Sequence, residues 1–105
     1  ESTAVVRERV MRARAIALER QGSLNAFLTG DELDRFAPVN ERGMALLRAE
    51  LEAGRLTGRG LHRIRRVART IADLEGHDGA LTAEHVASAL HLRTDPAFLV
   101  RSLVK

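Results

Sequence analysis

Cysteine is missing from the 105-residue sequence, which excludes disulfides, thiolate metal sites and cysteine nucleophiles. Lysine is almost missing too: Lys105 is the only one, so 16 of the 17 basic residues are arginine. A phosphate-binding loop of the form G-x-x-x-x-G-K-[ST] therefore cannot lie within this chain. Schiff-base chemistry on an internal lysine is excluded for the same reason.

Large aromatic side chains and long apolar runs are also scarce. Tryptophan and tyrosine are absent, and the three phenylalanines do not alternate with basic residues. The chain is therefore poorly suited to bind single strands by stacking bases on rings. It contains no apolar run of the roughly 18 residues that a membrane span needs and no signal-peptide pattern. We expect a cytoplasmic protein with no membrane partner.

Helix-capping residues are abundant. Ser2 or Thr3 can cap a first helix that runs to about Gln21, where Gly22 suits a left-handed helix end. No segment has the alternating pattern of a strand. These signals predict an all-α bundle of five or six helices in a single domain, 1–105. The further helices are bounded by Thr29 and Pro38, Asn40 and Gly54, Thr57 and Gly76, by Thr82 at the start of the next, and by Asp95-Pro96 at the start of a short last one.

The helix that follows Thr57 is rich in arginine. Arg59, Arg63 and Arg66 fall within a sector of about 60° on a helix that advances about 100° per residue. Arg59 also lies in the first turn, where free backbone N–H groups and the helix dipole favour an anion. Guanidinium groups in this arrangement predict a phosphate site. Between positions 55 and 69 there is no acidic residue, and six are arginine: Arg55, Arg59, Arg63, Arg65, Arg66 and Arg69.

Other interpretations of these charges stay open at this point. The arginines can simply form the solvated face of an amphipathic helix. Arg63 or Arg66 can instead pair with a carboxylate such as Asp73 or Glu50 on another part of the fold. We expect no metal site, because the histidines lack a paired ligand spacing and are expected at the surface or at helix edges; they are His62, His77, His85 and His91.

Three separated segments carry a resemblance to a known family. They are LTGRGLHRIRRVARTIADLEG (56–76), ERQGSLNAFLTGDEL (19–33) and LTAEHVASALHLR (81–93). In chain order they resemble the C-terminal helical domain of magnesium-chelatase-like AAA+ ATPases, and in particular the competence-associated branch, whose members are linked to DNA processing. The resemblance covers most of residues 1–93, and residues 94–105 form an unmatched C-terminal extension.

The resemblance implies a role for the arginines. In this family the helical domain closes as a lid over ATP and Mg²⁺, which are bound mainly by an N-terminal ATPase core, often in a ring that is commonly hexameric. The lid contributes a sensor arginine in a [ST]-x-R pattern, which Thr57-Gly58-Arg59 matches, so Arg59 is the first candidate. Arg66 matches a second recurrent arginine, and Arg63 is the third candidate on geometry alone. No catalytic residue is expected in this piece of the protein.

Two other functions are compatible with the residues. One is a small basic helical module that binds DNA through the arginines of the helix after Thr57. The other is an adaptor that only mediates subunit contacts, with Arg59, Arg63 and Arg66 facing an acidic neighbour. The partners expected from the leading interpretation are the N-terminal core of the same protein, neighbouring subunits of a homo-oligomeric ring, and DNA.

Overall fold

The computed structural model describes residues 3–94 and confirms the all-α prediction. Five α-helices follow one another, and a 3-10 turn, Asn25–Phe27, lies in the connector between the first two. The short helix expected at Asp95-Pro96 falls outside the described residues. The helices are α1 (Thr3–Gln21), α2 (Gly30–Phe36), α3 (Glu41–Glu52), α4 (Gly58–Leu74) and α5 (Ala83–Thr94).

The helix ends lie where the capping residues predicted them. Thr29 and Glu32 form a complete capping box at the start of α2. The Asn40 side chain accepts the Gly43 N–H at 2.8 Å and so starts α3. Left-handed glycines, with φ values of 76° to 77°, follow α1, α3 and α4: Gly22, Gly54 and Gly76.

The start of α5 is capped by a histidine, which the sequence interpretation missed. Thr82 Oγ1 accepts the His85 N–H, and His85 Nδ1 accepts the Thr82 N–H at 3.0 Å. A backbone N–H can only donate, so the ring proton is on Nε2, which lies 3.1 Å from the Glu75 carboxylate. The expectation that every histidine lies at the surface or at a helix edge is therefore wrong for His85, which is 5% exposed.

Helix α4 is the centre of the fold, because α1, α2, α3 and α5 all pack against it. Its inner face carries Ala68 and Ala72, whose small side chains are fully buried and allow close helix contacts. An isolated parallel bridge between Val39 and Leu81 ties the loop before α3 to the loop before α5. The buried apolar core contains, among others, Leu28, Leu33, Leu47, Ile64, Leu81, Val86 and Ala89.

Helix α1 is the least covered of the long helices. It packs on α4 through Ala13 and Ala17, the two buried residues of its 19. Several of its apolar side chains are left exposed: Val5, Val10, Met11 and Leu18. None of the helices in residues 3–94 combines the length and the apolar character that crossing a bilayer requires.

Candidate nucleotide-phosphate site

The arginines between positions 55 and 69 do not form one surface. Arg65 and Arg69 lie on the inner side of α4 and are buried, whereas Arg59 and Arg63 are exposed. Arg66 is partly buried between these two groups. Helical geometry predicted that Arg59, Arg63 and Arg66 share one face of the helix, and the structure places the buried Arg65 and Arg69 on a different face. The alternative that the arginines form one solvent-exposed face of the helix is therefore correct for some of them and wrong for the buried Arg65 and Arg69.

Arg59 lies in the first turn of α4, as the sequence predicted. Thr57 caps the helix by accepting the Gly60 N–H at 3.0 Å. A Cβ at Gly60 would come within 3.1 Å of Leu56 Cδ1, so glycine allows this start to pack closely on Leu56. Among residues 3–94, Arg59 has neither an ion pair nor a hydrogen-bond partner for its side chain. Its guanidinium is therefore available to an anion at a helix start.

The loop before α4 is held in place by charged contacts. Arg55 Nη2 lies 2.8 Å from the Glu50 carboxylate, and this hydrogen bond holds the pKa of Glu50 below its usual value. Arg93 on α5 donates to the Arg55 carbonyl oxygen at 3.1 Å. Leu56, next in the chain, is buried. These contacts fix the point from which α4 begins, and thereby the position of the Arg59 backbone.

Arg63 and Arg66 line a shared cavity of about 370 Å³ with Ala26, Val67, Thr70 and Leu92. Arg66 Nε donates to the Leu28 carbonyl oxygen at 2.8 Å, which orients its guanidinium. Arg63 is exposed, with no ion pair or side-chain hydrogen bond to the part of the chain that the structure describes. Arg59 does not line this cavity. The three candidates thus share one face of α4, but only two of them meet in a pocket.

The alternative in which Arg63 or Arg66 pairs with Asp73 or Glu50 is not what the structure shows. Glu50 pairs with Arg55, and Asp73 pairs with arginines on its inner side. Arg66 binds a carbonyl oxygen instead of a carboxylate. The carboxylates named as partners are therefore already engaged elsewhere.

The sequence interpretation missed a cluster of charged side chains, centred on the buried Asp73, between α1 and α4. The Asp73 side chain is 1% exposed and accepts two hydrogen bonds from Arg20, at 2.9 and 3.0 Å. Arg69 lies 3.2 Å away on the same helix, and Asn25 donates to the same carboxylate at 2.9 Å. This cluster joins α1, the 3-10 turn and α4. The spacing of Arg69 and Asp73, four residues apart on a helix, was the signal that could have revealed it.

Arg69 also ties α4 to other parts of the chain. Its guanidinium is 2% exposed and donates to the carbonyl oxygen of His77 at 2.9 Å, and at 3.4 Å to those of Phe36 and Gly79. Burial lowers the pKa of Arg69, and the charge of Asp73 opposes that shift. Arg69 is therefore a structural cation and not a candidate for ligand binding.

The fold, together with the face of α4 that carries Arg59, Arg63 and Arg66, defines a helical domain organised around one arginine-rich helix. Within residues 3–94, no three histidine or carboxylate side chains come together as a metal site would require. The chain belongs to the family described as magnesium chelatase, subunit ChlI C-terminal, and the match spans residues 1–93. It is thus a domain of a magnesium-chelatase-like AAA+ protein, as the resemblance of its three segments indicated.

Similarity to individual proteins supports the same family assignment. The chain is 39% identical over 105 residues to the competence protein ComM of Haemophilus influenzae, with all of this chain and 20% of ComM covered. It is 35% identical over 100 residues to YifB of Escherichia coli, covering 95% of this chain and 20% of YifB. Protein Rv2897c of Mycobacterium tuberculosis is 38% identical over 97 residues, covering 89% and 19%. The chain spans about a fifth of the length of these relatives, and no solved structure gives a significant match.

Proposed function

We propose that this domain is the nucleotide-sensing lid of an AAA+ ATPase and that Arg59 contacts the phosphates of ATP. The observation that carries the proposal is the exposed Arg59 guanidinium, which no described residue engages, in the first turn of the central helix. The Thr57-Gly58-Arg59 segment matches the family's sensor pattern. In this proposal the ATPase core lies elsewhere in the protein, and the subunits form a ring, with six as the expected number.

The chemistry of the site suits a phosphate and not a metal ion. Arg59 is a permanent cation with five N–H donors, which match the oxygen atoms of a phosphate. A positive charge near the γ-phosphate would stabilise the charge that develops during its transfer. The described residues offer no cluster of carboxylates for Mg²⁺. The ligands of the magnesium ion that accompanies ATP would therefore come from the core.

The architecture supports transmission of the nucleotide state to the whole domain. Arg59 lies at one end of α4, and α4 contacts the other four helices. The ion pair of the partly exposed Arg20 with the buried Asp73 binds α4 to α1, and Arg69 binds α4 to the carbonyl oxygens of Phe36 and His77. Contact between Arg59 and a phosphate would therefore orient the domain as one body, and departure of the γ-phosphate would release it.

Nucleotide should protect Arg59 from chemical modification in the full-length protein. We expect phenylglyoxal to modify Arg59 about ten-fold more slowly when a non-hydrolysable ATP analogue and Mg²⁺ are present, since a bidentate phosphate contact occupies the guanidinium. Arg48, exposed on α3, serves as the internal control and should react at an unchanged rate. The rates are measured peptide by peptide with mass spectrometry. Equal modification of Arg59 with and without the analogue contradicts the proposal.

DNA processing is the second part of the proposal. The name of ComM refers to competence, and this domain exposes Arg59 and Arg63 on one face of α4. In the full-length protein without nucleotide, where ATP does not occupy Arg59, the double change Arg59→Gln and Arg63→Gln should reduce the slope of log affinity against log salt by about 0.9 for each phosphate that the variant no longer neutralises. Anisotropy of a labelled duplex measures the slope, with Arg48→Gln as the control. A slope that stays the same in the double variant excludes DNA binding by this face.

A further inference from the structure

Two adjoining cavities lie on the outward face of α4, between α1 and α5, and together they form what we call the groove. One part is a cavity of about 280 Å³ that reaches α1, and the other is the cavity of about 370 Å³ that reaches Leu92 on α5. Ala26 and Thr70 line both parts, so the two cavities are neighbours at that point. On α4 the groove extends from Arg63 to Leu74, which corresponds to about 16 Å of helix.

The groove is largely apolar, and each of its two parts is also lined by arginine. Val10 and Ala17 of α1 and Val67 and Leu74 of α4 provide apolar walls. Arg14 lines the part beside α1 and Arg63 lines the other part, and neither has a side-chain partner within residues 3–94. None of the lining residues that belong to the described part of the chain is acidic. An occupant with an apolar stripe and carboxylates beside it would complement this surface.

The lining also favours a helical occupant over an added β-strand. A β-strand needs backbone partners along its length, and most of the lining residues lie on helices, whose backbone groups are engaged within those helices. A helix satisfies its own backbone hydrogen bonds and presents one apolar stripe, as in other helix-in-groove complexes. About 16 Å accommodates three turns of helix, or about 11 residues. The exposed Phe27, which is 71% accessible beside Ala26, extends the apolar surface.

We propose that this groove docks an acidic amphipathic helix of about three turns that belongs to the rest of the same protein. The chain spans only about a fifth of the length of its relatives, so most of such a protein lies outside this domain. A segment tethered to the domain is present at a high effective concentration, which makes even a small apolar contact effective. The docking requires a larger parent protein but not a contact between Arg59 and ATP.

Thiol labelling of the full-length protein tests the docking without nucleotide. Ala26→Cys places a thiol where the two cavities meet, and Ala15→Cys places one on the exposed side of α1 away from the groove. Each labelling rate is divided by the rate for the same thiol in denaturant, and peptides are resolved by mass spectrometry. If the docked state is populated about ten to one, the thiol at position 26 reacts about ten-fold more slowly than the thiol at position 15 after this correction.

A matched pair of surface substitutions shows whether the groove itself is responsible. Val10 lines the groove and is 36% exposed, whereas Met11, the next residue, is 63% exposed and does not line it. Because both are accessible on α1, neither change to glutamate should unfold the domain. Val10→Glu should make the thiol at position 26 react as fast as the thiol at position 15, and Met11→Glu should leave the protection intact.

Two results would overturn the proposal. Equal corrected rates for the two thiols in the full-length protein mean that nothing occupies the groove. Protection that disappears on dilution assigns the occupant to another molecule and not to the same chain. The Arg59→Ala variant separates this proposal from the phosphate contact: protection of the thiol at position 26 should persist in it, whatever happens to ATP hydrolysis.

Discussion

Replacement of Arg59 by alanine in the full-length protein should reduce the rate of ATP hydrolysis by about 100-fold, the usual effect of removing one positioned donor from a developing charge. The domain should stay folded, because Arg59 is exposed and its side chain pairs with no described residue; the expected change in unfolding free energy is within about 0.5 kcal/mol. Steady-state phosphate release measures the first effect, and urea unfolding the second. The loss should fall on kcat more than on KM if Arg59 acts mainly on the transition state.

Arg63→Ala is the matched control for this experiment. Arg63 lies one turn further along the same face of α4 and is likewise exposed, so the two changes remove the same charge from neighbouring positions. We expect Arg63→Ala to change the hydrolysis rate by less than about 3-fold, well below the effect of a positioned donor. Equal reductions in both variants would indicate a general effect of basic charge. A reduction in Arg63→Ala alone would make Arg63 the sensor.

Arg66 is a poorer probe of phosphate contact, although the family pattern places it second. Its Nε holds the Leu28 carbonyl oxygen at 2.8 Å, so Arg66→Ala removes a structural hydrogen bond together with any contact to nucleotide. The carbonyl belongs to a residue that is itself fully buried. A decrease of activity in Arg66→Ala is therefore interpretable only alongside an unfolding measurement on the same variant.

Asp73→Ala should destabilise the domain by about 3–5 kcal/mol, because it leaves the buried Arg69 and the partly buried Arg20 without their counter-charge. Asp73 accepts hydrogen bonds from Arg20 and Asn25 and lies against Arg69, which has almost no access to water. For a domain whose total stability is about 5–15 kcal/mol, this is a large share. Urea unfolding followed by circular dichroism measures the change, with the midpoint and the slope fitted together.

The exposed pair of Glu8 and Arg12 provides the control for Asp73. These side chains are also four residues apart on a helix and lie 3.1 Å apart, but both face solvent. Glu8→Ala should cost no more than about 0.5 kcal/mol, as is typical of exposed helical pairs. If Asp73→Ala and Glu8→Ala have the same small effect, then the buried cluster does not stabilise the domain as its geometry implies.

The helix boundaries could be predicted because the interactions that set them are local. Thr29 with Glu32, Asn40 and Thr57 each act on backbone groups no more than three residues away. The sequence therefore contains the whole motif in a short window. At α5 the sequence predicted the capping residue Thr82 but not its partner. His85 takes the place that glutamate has in a capping box, and its ring is buried in that position.

The burial of individual arginines could not be predicted in the same way. Arg65 and Arg66 are adjacent and chemically identical, yet one is buried and the other is partly accessible. The partners of Arg69 include carbonyl oxygens of Phe36 and His77, which approach α4 only in the folded chain. From the sequence alone, every charged residue is expected to be exposed, so a count of arginines does not reveal which of them are buried. Arg59 was singled out by its family pattern and helical position, whereas the groove depends on the gap between α1 and α5.

The contact between Arg20 and Asp73 has a consequence for exchanging this domain between relatives. Arg20 is near the end of α1 and Asp73 is near the end of α4, 53 positions later. The helices α2 and α3 and most of α4 therefore lie between the two residues in the sequence. A chimera joined anywhere between them combines an arginine from one parent with a carboxylate from the other. A crossover that takes both residues from a single parent keeps the ion pair intact, and α1 is then exchanged together with the helices that follow it.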